Sequence, residues 1–185
     1  MPVRTRGAAM IVLGCALAAA TPVAAAADTN LRSKVLQAFA GVKSYRVTVL
    51  GSVRSLGVWQ APGKYQMTTE FNGKAVKTII ADGALWQYVD GKWEKSGTAS
   101  NNLRVDIAGL VQTVKGAPNA VLTPLPEQMQ DGKRVGTFEY TFDDGTEDTC
   151  NYDLATFRVT RCKADELTLL YSDYNDPSIA IKVPK

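Results

Sequence analysis

Residues 31–42, LRSKVLQAFAGV, place Leu31, Val35, Leu36, Phe39 and Val42 on one stripe at helical spacing. Residues 28–30 offer capping side chains ahead of that stripe, and Gly41 marks its end. The spacing predicts an amphipathic helix of about three turns. After Ser44 the period drops to two. In YRVTVLGSVR, Tyr45, Val47 and Val49 share a face, and GVWQAP then runs to Pro62. KYQMTTEF sets Tyr65, Met67, Thr69 and Phe71 against Gln66, Thr68 and Glu70. Three dipeptides, Asn72-Gly73, Asp82-Gly83 and Asp90-Gly91, separate this run from KAVKTIIA, ALWQYV and KWEKS. Each suits a two-residue hairpin, because both central positions tolerate positive φ. Such turns at intervals of eight to ten residues predict an antiparallel meander.

The helical period returns in LRVDIAGLVQTVKG, where Leu103, Ile107, Leu110, Val111 and Val114 share a face. Ser100 to Asn102 precede it as caps, and Gly116 and Pro118 stop it. The Pro-containing stretch NAVLTPLPEQMQ reads as a connection to the second half. Asp131-Gly132 opens further strands, with Phe138, Tyr140 and Phe142 on one face of RVGTFEYTFDDG. ELTLLYSDYN follows, and SIAIKVP reads as a closing strand. No long helical crossover separates the strands, which excludes a doubly wound parallel sheet. The expected class is α+β. One large antiparallel sheet must twist and curl into a half-barrel, and two amphipathic helices bury their stripes in its concave face.

The leading residues change the picture of where this domain works. Arg4 and Arg6 precede an apolar run from Ala8 to Ala20, and the small residues Ala25-Ala26-Ala27 precede a polar start at Asp28. This is the layout of an export signal, too short for a membrane span of roughly 20 apolar residues. Residues 1–27 are therefore expected to be a signal peptide and residues 28–185 one domain, periplasmic or secreted. Cys15, in VLGC, loosely resembles a lipidation site. The run continues past it to a better cleavage site, so an anchor through Cys15 is the lesser expectation. The chain holds 21 Lys and Arg against 18 Asp and Glu. Two of those cations leave with the signal, and no basic block remains, so nucleic-acid binding has no electrostatic motive. No later stretch is long and apolar enough to span a bilayer.

Cys150 and Cys162 then remain in an oxidising space. A metal site wants more ligands, and the chain has no histidine. A redox pair is usually spaced C-x-x-C. The expected pairing is a disulfide: both cysteines are equidistant from Thr156, so Asp153-Leu154-Ala155-Thr156 can turn the chain and set them opposite each other. A loop of that size adds roughly 3 kcal/mol in the chain-entropy model.

Catalytic signals are poor. Without histidine the usual general base is missing, and no nucleophile elbow, P-loop or dinucleotide-binding glycine pattern occurs. No catalytic residue, metal ligand or cofactor is expected. Asp143, Asp144, Glu147 and Asp148 cluster around Gly145 but lack the alternation of a calcium loop, and read as a solvated turn. The aromatic residues are more informative. Trp59, Tyr65, Phe71, Trp86 and Tyr88, with Met67, lie in the first meander, and Phe138 and Tyr140 in the second. On a shared concave face they would line an apolar pocket under Leu110 and Val114. The alternative is an ordinary core packed on those residues and on Leu36 and Phe39.

Several stretches carry a family likeness. The helix LRSKVLQAFAGV enters the first strand through KSY, a Pro62-Gly63-Lys64 turn follows, and Asp82, Gly83, Trp86 and Tyr88 form a D-G-x-x-W-x-Y strand. The end reads LYSDYNDPSIAIKVP. Across nearly all of residues 28–185 the chain resembles the lipoprotein-carrier superfamily of half-barrels, which includes LolA-type carriers, their outer-membrane acceptors, and LppX- and LprG-type lipoproteins. The resemblance implies a hydrophobic cavity between sheet and helices that holds a lipid, an acyl chain or an acylated protein. Members of this fold also act in envelope stress signalling. It therefore implies, as the alternative, an envelope sensor or interaction module with an envelope protein as partner.

Overall fold

The Asn-Gly and Asp-Gly dipeptides do what their chemistry prescribes. Asn72, Asp82, Asp90 and Asp131 have φ of 49°, 51°, 48° and 50°, and the glycine after each is also positive. Two consecutive left-handed residues make a turn whose twist matches that of the flanking strands. The structure, a computed structural model, describes residues 29–98, 122–141 and 147–184. They form one helix, α1 (Thr29–Ala40), and eleven strands. The first six are β1 (Ser44–Leu50), β2 (Arg54–Gln60), β3 (Lys64–Phe71), β4 (Lys74–Ala81), β5 (Ala84–Val89) and β6 (Lys92–Thr98). The other five are β7 (Leu122–Gln130), β8 (Lys133–Thr141), β9 (Glu147–Tyr152), β10 (Val159–Ala164) and β11 (Leu167–Ser172).

All strands belong to one antiparallel sheet of order β6-β5-β4-β3-β2-β1-β11-β10-β9-β8-β7. Two meanders thus meet at the β1–β11 pair, where Val47 faces Tyr171 and Val49 faces Leu169. Among the described residues β6 and β7 are the edge strands.

The sheet is curled, and α1 lies inside the curl. A helix of 12 residues is about 18 Å long. Laid flat, β7 and β2 would be about 29 Å apart at the usual strand spacing. Yet α1 packs on β7, while its Phe39 ring lies 5.9 Å from Trp59 on β2. Both contacts require the strands to wrap around the helix. Leu31, Val35 and Val42 are buried there with Tyr45, Val47, Phe138 and Tyr140. Lys34 sits 4.8 Å over the Phe157 ring and ties the outer side of α1 to the β9–β10 hairpin. Complete burial of each such Leu or Val contributes about 1.5–3 kcal/mol, which stabilises a helix too short to persist alone.

Two expectations change. LTPLPEQMQ is not a connection but strand β7. Its Pro124 and Pro126 would interrupt a central ladder, and an edge strand that bulges between Leu125 and Gln128 accommodates them. SIAIKVP pairs with no strand among the described residues and instead packs on the sheet's outer face. The second helix expected over residues 103–114, with Leu110 and Val114, lies outside the described residues, and α1 is the single helix among those described. The same holds for Asp143, Asp144 and the side chain of Phe71.

A polar clamp holds the α1–β1 junction. Asn175, at φ 62°, donates its backbone N–H to the Ser44 carbonyl at 2.8 Å. Its Oδ1 accepts the Lys43 N–H at 2.6 Å, and its Nδ2 donates to the Gly41 carbonyl at 3.2 Å. Asn is among the few residues that tolerate this left-handed conformation. Beside it, the Arg46 guanidinium lies 3.2 Å from Asp173, and the Tyr174 hydroxyl donates to the Val159 carbonyl at 2.6 Å.

Candidate binding face

In an antiparallel ladder, directly paired residues point to the same side of the sheet. Following the pairs from Tyr45 therefore maps the inner face. Tyr45 pairs with Trp59, Trp59 with Tyr65, Tyr65 with Ile80, and Ile80 with Leu85. The next row runs from Val47 through Gly57, Met67 and Thr78 to Gln87. On the other side of β1, Val49 leads through Leu169, Cys162 and Cys150 to Phe138. One further row sets Leu167, Ala164, Asp148, Tyr140 and Leu122 side by side.

Burial divides this face in two. Under α1 it is closed: Tyr45 and Phe138 have no exposed area, Tyr140 has 1%, and Trp59 has 8%. Tyr45 stacks on Trp59 at 5.2 Å, and Tyr171 meets the same ring edge-on at 5.8 Å. Over β3–β5 the inner face is only half-buried, at Tyr65, Met67, Ile80 and Leu85, and Val76 is 43% exposed. Its polar members are Thr69, Thr78 and Gln87, and Thr69 exchanges a hydrogen bond of 2.9 Å with Ser55. Three aliphatic side chains and a tyrosine thus form a trough wall beside the aromatic floor under α1. This wall is mainly apolar, the kind of lining that suits an apolar chain.

The register brings Trp59, Tyr65, Met67, Phe138 and Tyr140 onto this inner face. Trp86 and Tyr88 lie on the opposite face: Trp86 pairs with Ile79, whose partner is Gln66. Ile80 and Leu85 take their place on the inner side. A signal for this exists in the sequence. A two-residue hairpin pairs an odd-numbered residue with an even-numbered one, so the face of Tyr65 continues to Ile80 and then Leu85, not to Trp86.

Cys150 and Cys162 are joined by a disulfide across the β9–β10 pair, facing inward between Phe138 and Leu169. Both are buried, at 0% and 5%. Asp148 is an ionisable group on this inner floor. Partial burial, reinforced by the nearby charge of Asp165, raises its pKa to about 6. Among the described residues no cluster of His, Cys, Asp and Glu could hold a metal ion, and no helix is long and apolar enough to cross a membrane.

This arrangement of strands recurs in solved structures. The lipoprotein LppX of Mycobacterium tuberculosis superposes with a TM-score of 0.58 at 16% identity, over 82% of this chain and 98% of its own. LprF of Mycobacterium bovis gives 0.57 at 14% identity, over 85% and 98%. An uncharacterized conserved protein of Thermus thermophilus gives 0.50 at 10% identity, over 81% and 87%. The chain shares the fold of LppX and LprF. No family model matches the sequence of this half-barrel, and no curated protein matches it. At these identities the likeness is one of fold, so the half-barrel's function must be argued from its own residues.

Proposed function

We propose that the protein is an exported, non-enzymatic binding protein whose half-barrel holds an acyl chain, a lipid or the lipid part of an acylated protein. The observation that carries this reading is the uneven burial of the inner face. Tyr65, Met67, Ile80 and Leu85 face inward and are apolar, yet remain half-buried, while the part of that face under α1, around Tyr45, Trp59, Phe138 and Tyr140, is closed. A monomer that leaves apolar surface open within a concavity gains nothing in stability from it, and a greasy ligand does gain. The proposed lining is those four residues, with Trp59 at the boundary and Phe138 and Tyr140 in the floor. Carrier-like use of the fold, as the family resemblance implies, fits that lining. The periplasm or another oxidising compartment fits the disulfide.

Native mass spectrometry of the protein from its own envelope, followed by organic extraction, tests the reading. A co-purifying acyl species near one equivalent is the expected result. An apo mass, together with no uptake of added fatty acid or phospholipid, rejects it. The alternative, an envelope sensor or protein-interaction module, is favoured by one observation: Leu56 and Leu50 on the outer face are 50% and 38% exposed. An apo protein that retains an envelope protein on cross-linking would support that role.

A further inference from the structure

The outer face of β2–β6 carries a second apolar cluster, independent of the inner one. Ile79 and Ala81 are 2% and 1% exposed, and Val58, Trp86 and Trp93 pack around them. Sheet residues on an outer face are normally wet. Here they are covered by the end of the chain, through Ile181 and Val183. The covering segment alternates: Ile179 and Ile181 are buried, Ala180 and Lys182 are exposed, and Val183 is half-buried. This is the pattern of an extended peptide seated on an apolar channel.

The seat is lightly fastened. The segment pairs with no strand, and its Ile181 N–H donates to a side chain, Gln60 Oε1, at 2.9 Å. The channel is also incompletely satisfied. The Trp86 indole Nε1 is buried and has no hydrogen-bond partner among the described residues. Lys95, the register partner of Trp86, points to the same side. An acceptor on an incoming segment would therefore meet a donor that the tail leaves idle, next to a cation.

We propose that this channel is a docking site for an extended segment of a partner protein with β-branched residues at alternate positions. In the free protein, residues 181–183 occupy it in cis. The tail defines the chemistry that fits: apolar side chains at every second position and backbone to spare for Gln60. Trp86 adds a demand for an acceptor that the tail does not meet. The site lies on the opposite side of the sheet from the proposed lipid trough, so either can fail without the other.

Fluorescence anisotropy with a labelled SIAIKVP peptide tests the idea, using the full mature chain. Weak binding to the native protein and at least tenfold tighter binding to Ile181→Asp, which expels the tail, is the expected result. Adding Ile79→Asp to that variant should abolish binding. Equal affinity of native protein and Ile181→Asp overturns the proposal. So does binding that survives Ile79→Asp. Hydrogen exchange on the unmodified protein decides the matter if Ile181→Asp does not fold. Amides of residues 180–183 should exchange at least a hundredfold faster than those of β1 and β2, and equal protection of tail and sheet overturns the idea. Dimerisation of the native protein by exchanged tails would reassign the channel to self-association and overturn the partner reading.

Discussion

Tyr152 lies across Gly136 so closely that a Cβ at position 136 would fall 2.1 Å from its ring. The two are direct partners in the β8–β9 ladder, and the ring goes on to stack with Phe157 at 5.6 Å. A strand-interior glycine usually weakens a sheet, and here it is the space the aromatic needs. Gly136→Ala should therefore destabilise by about 2–3 kcal/mol, through overpacking. Urea unfolding followed by tryptophan fluorescence measures it. A loss under 0.5 kcal/mol, the range of an ordinary surface change, would mean that the ring moves aside at no cost.

Asn175 combines a left-handed backbone with side-chain bonds to Lys43 and Gly41. Asn175→Ala removes both and should cost about 2–3 kcal/mol. Asn175→Gly keeps the backbone and should cost about half as much. Equal losses in the two variants would show that the backbone conformation contributes nothing.

Removing the disulfide by Cys150→Ala and Cys162→Ala together should cost about 3 kcal/mol or more, since the cross-link and two buried sulfurs are lost at once. Thermal unfolding under reducing and non-reducing conditions separates the two contributions. The double variant should be insensitive to reductant.

Asp148 has a folded-state pKa of about 6 against an ordinary 3.8. A carboxyl whose pKa is raised on folding opposes folding when ionised, so its penalty is fully present above pH 6 and is relieved as pH falls toward 4. The nominal shift corresponds to about 3 kcal/mol. With half the group still wet, about 1 kcal/mol is the expected size. Asp148→Asn should thus be more stable than the native protein at pH 7, and the difference should vanish near pH 4. An advantage that grows on acidification would contradict the burial argument.

Ile80→Glu places a charge in the centre of the proposed trough at a residue that is only half-buried. Fatty-acid uptake should fall at least tenfold while the unfolding midpoint moves by a few degrees. Leu56→Glu, on the outer face and 50% exposed, should leave uptake unchanged. Equal uptake by both variants would remove the trough from consideration.

Much of this architecture was legible beforehand. The stripe of Leu31, Val35 and Val42 made α1 clear, and four Asn-Gly or Asp-Gly turns made the meanders clear, because both signals are local. What was missed depended on position within the sheet. Pro124 and Pro126 argue against a strand only if the strand is central, and nothing local says that β7 is an edge. SIAIKVP has the alternation of a strand, yet it spends that alternation on packing and forms no ladder. The division of aromatics between faces is legible in the parity that each two-residue turn imposes, which puts Trp86 and Tyr88 on the face opposite Tyr65, whereas residue type alone groups all three together. The same parity assigns Ile80 and Leu85 to the inner face.

The two free edges carry one more consequence. A closed barrel has its radius dictated by strand number and stagger. Among the described residues β6 and β7 do not pair with each other, so no such equation applies and the opening between them is a mechanical degree of freedom. The girth of the proposed trough would then be set jointly by sheet elasticity and by its occupant, which would let one sequence clasp occupants of unequal width.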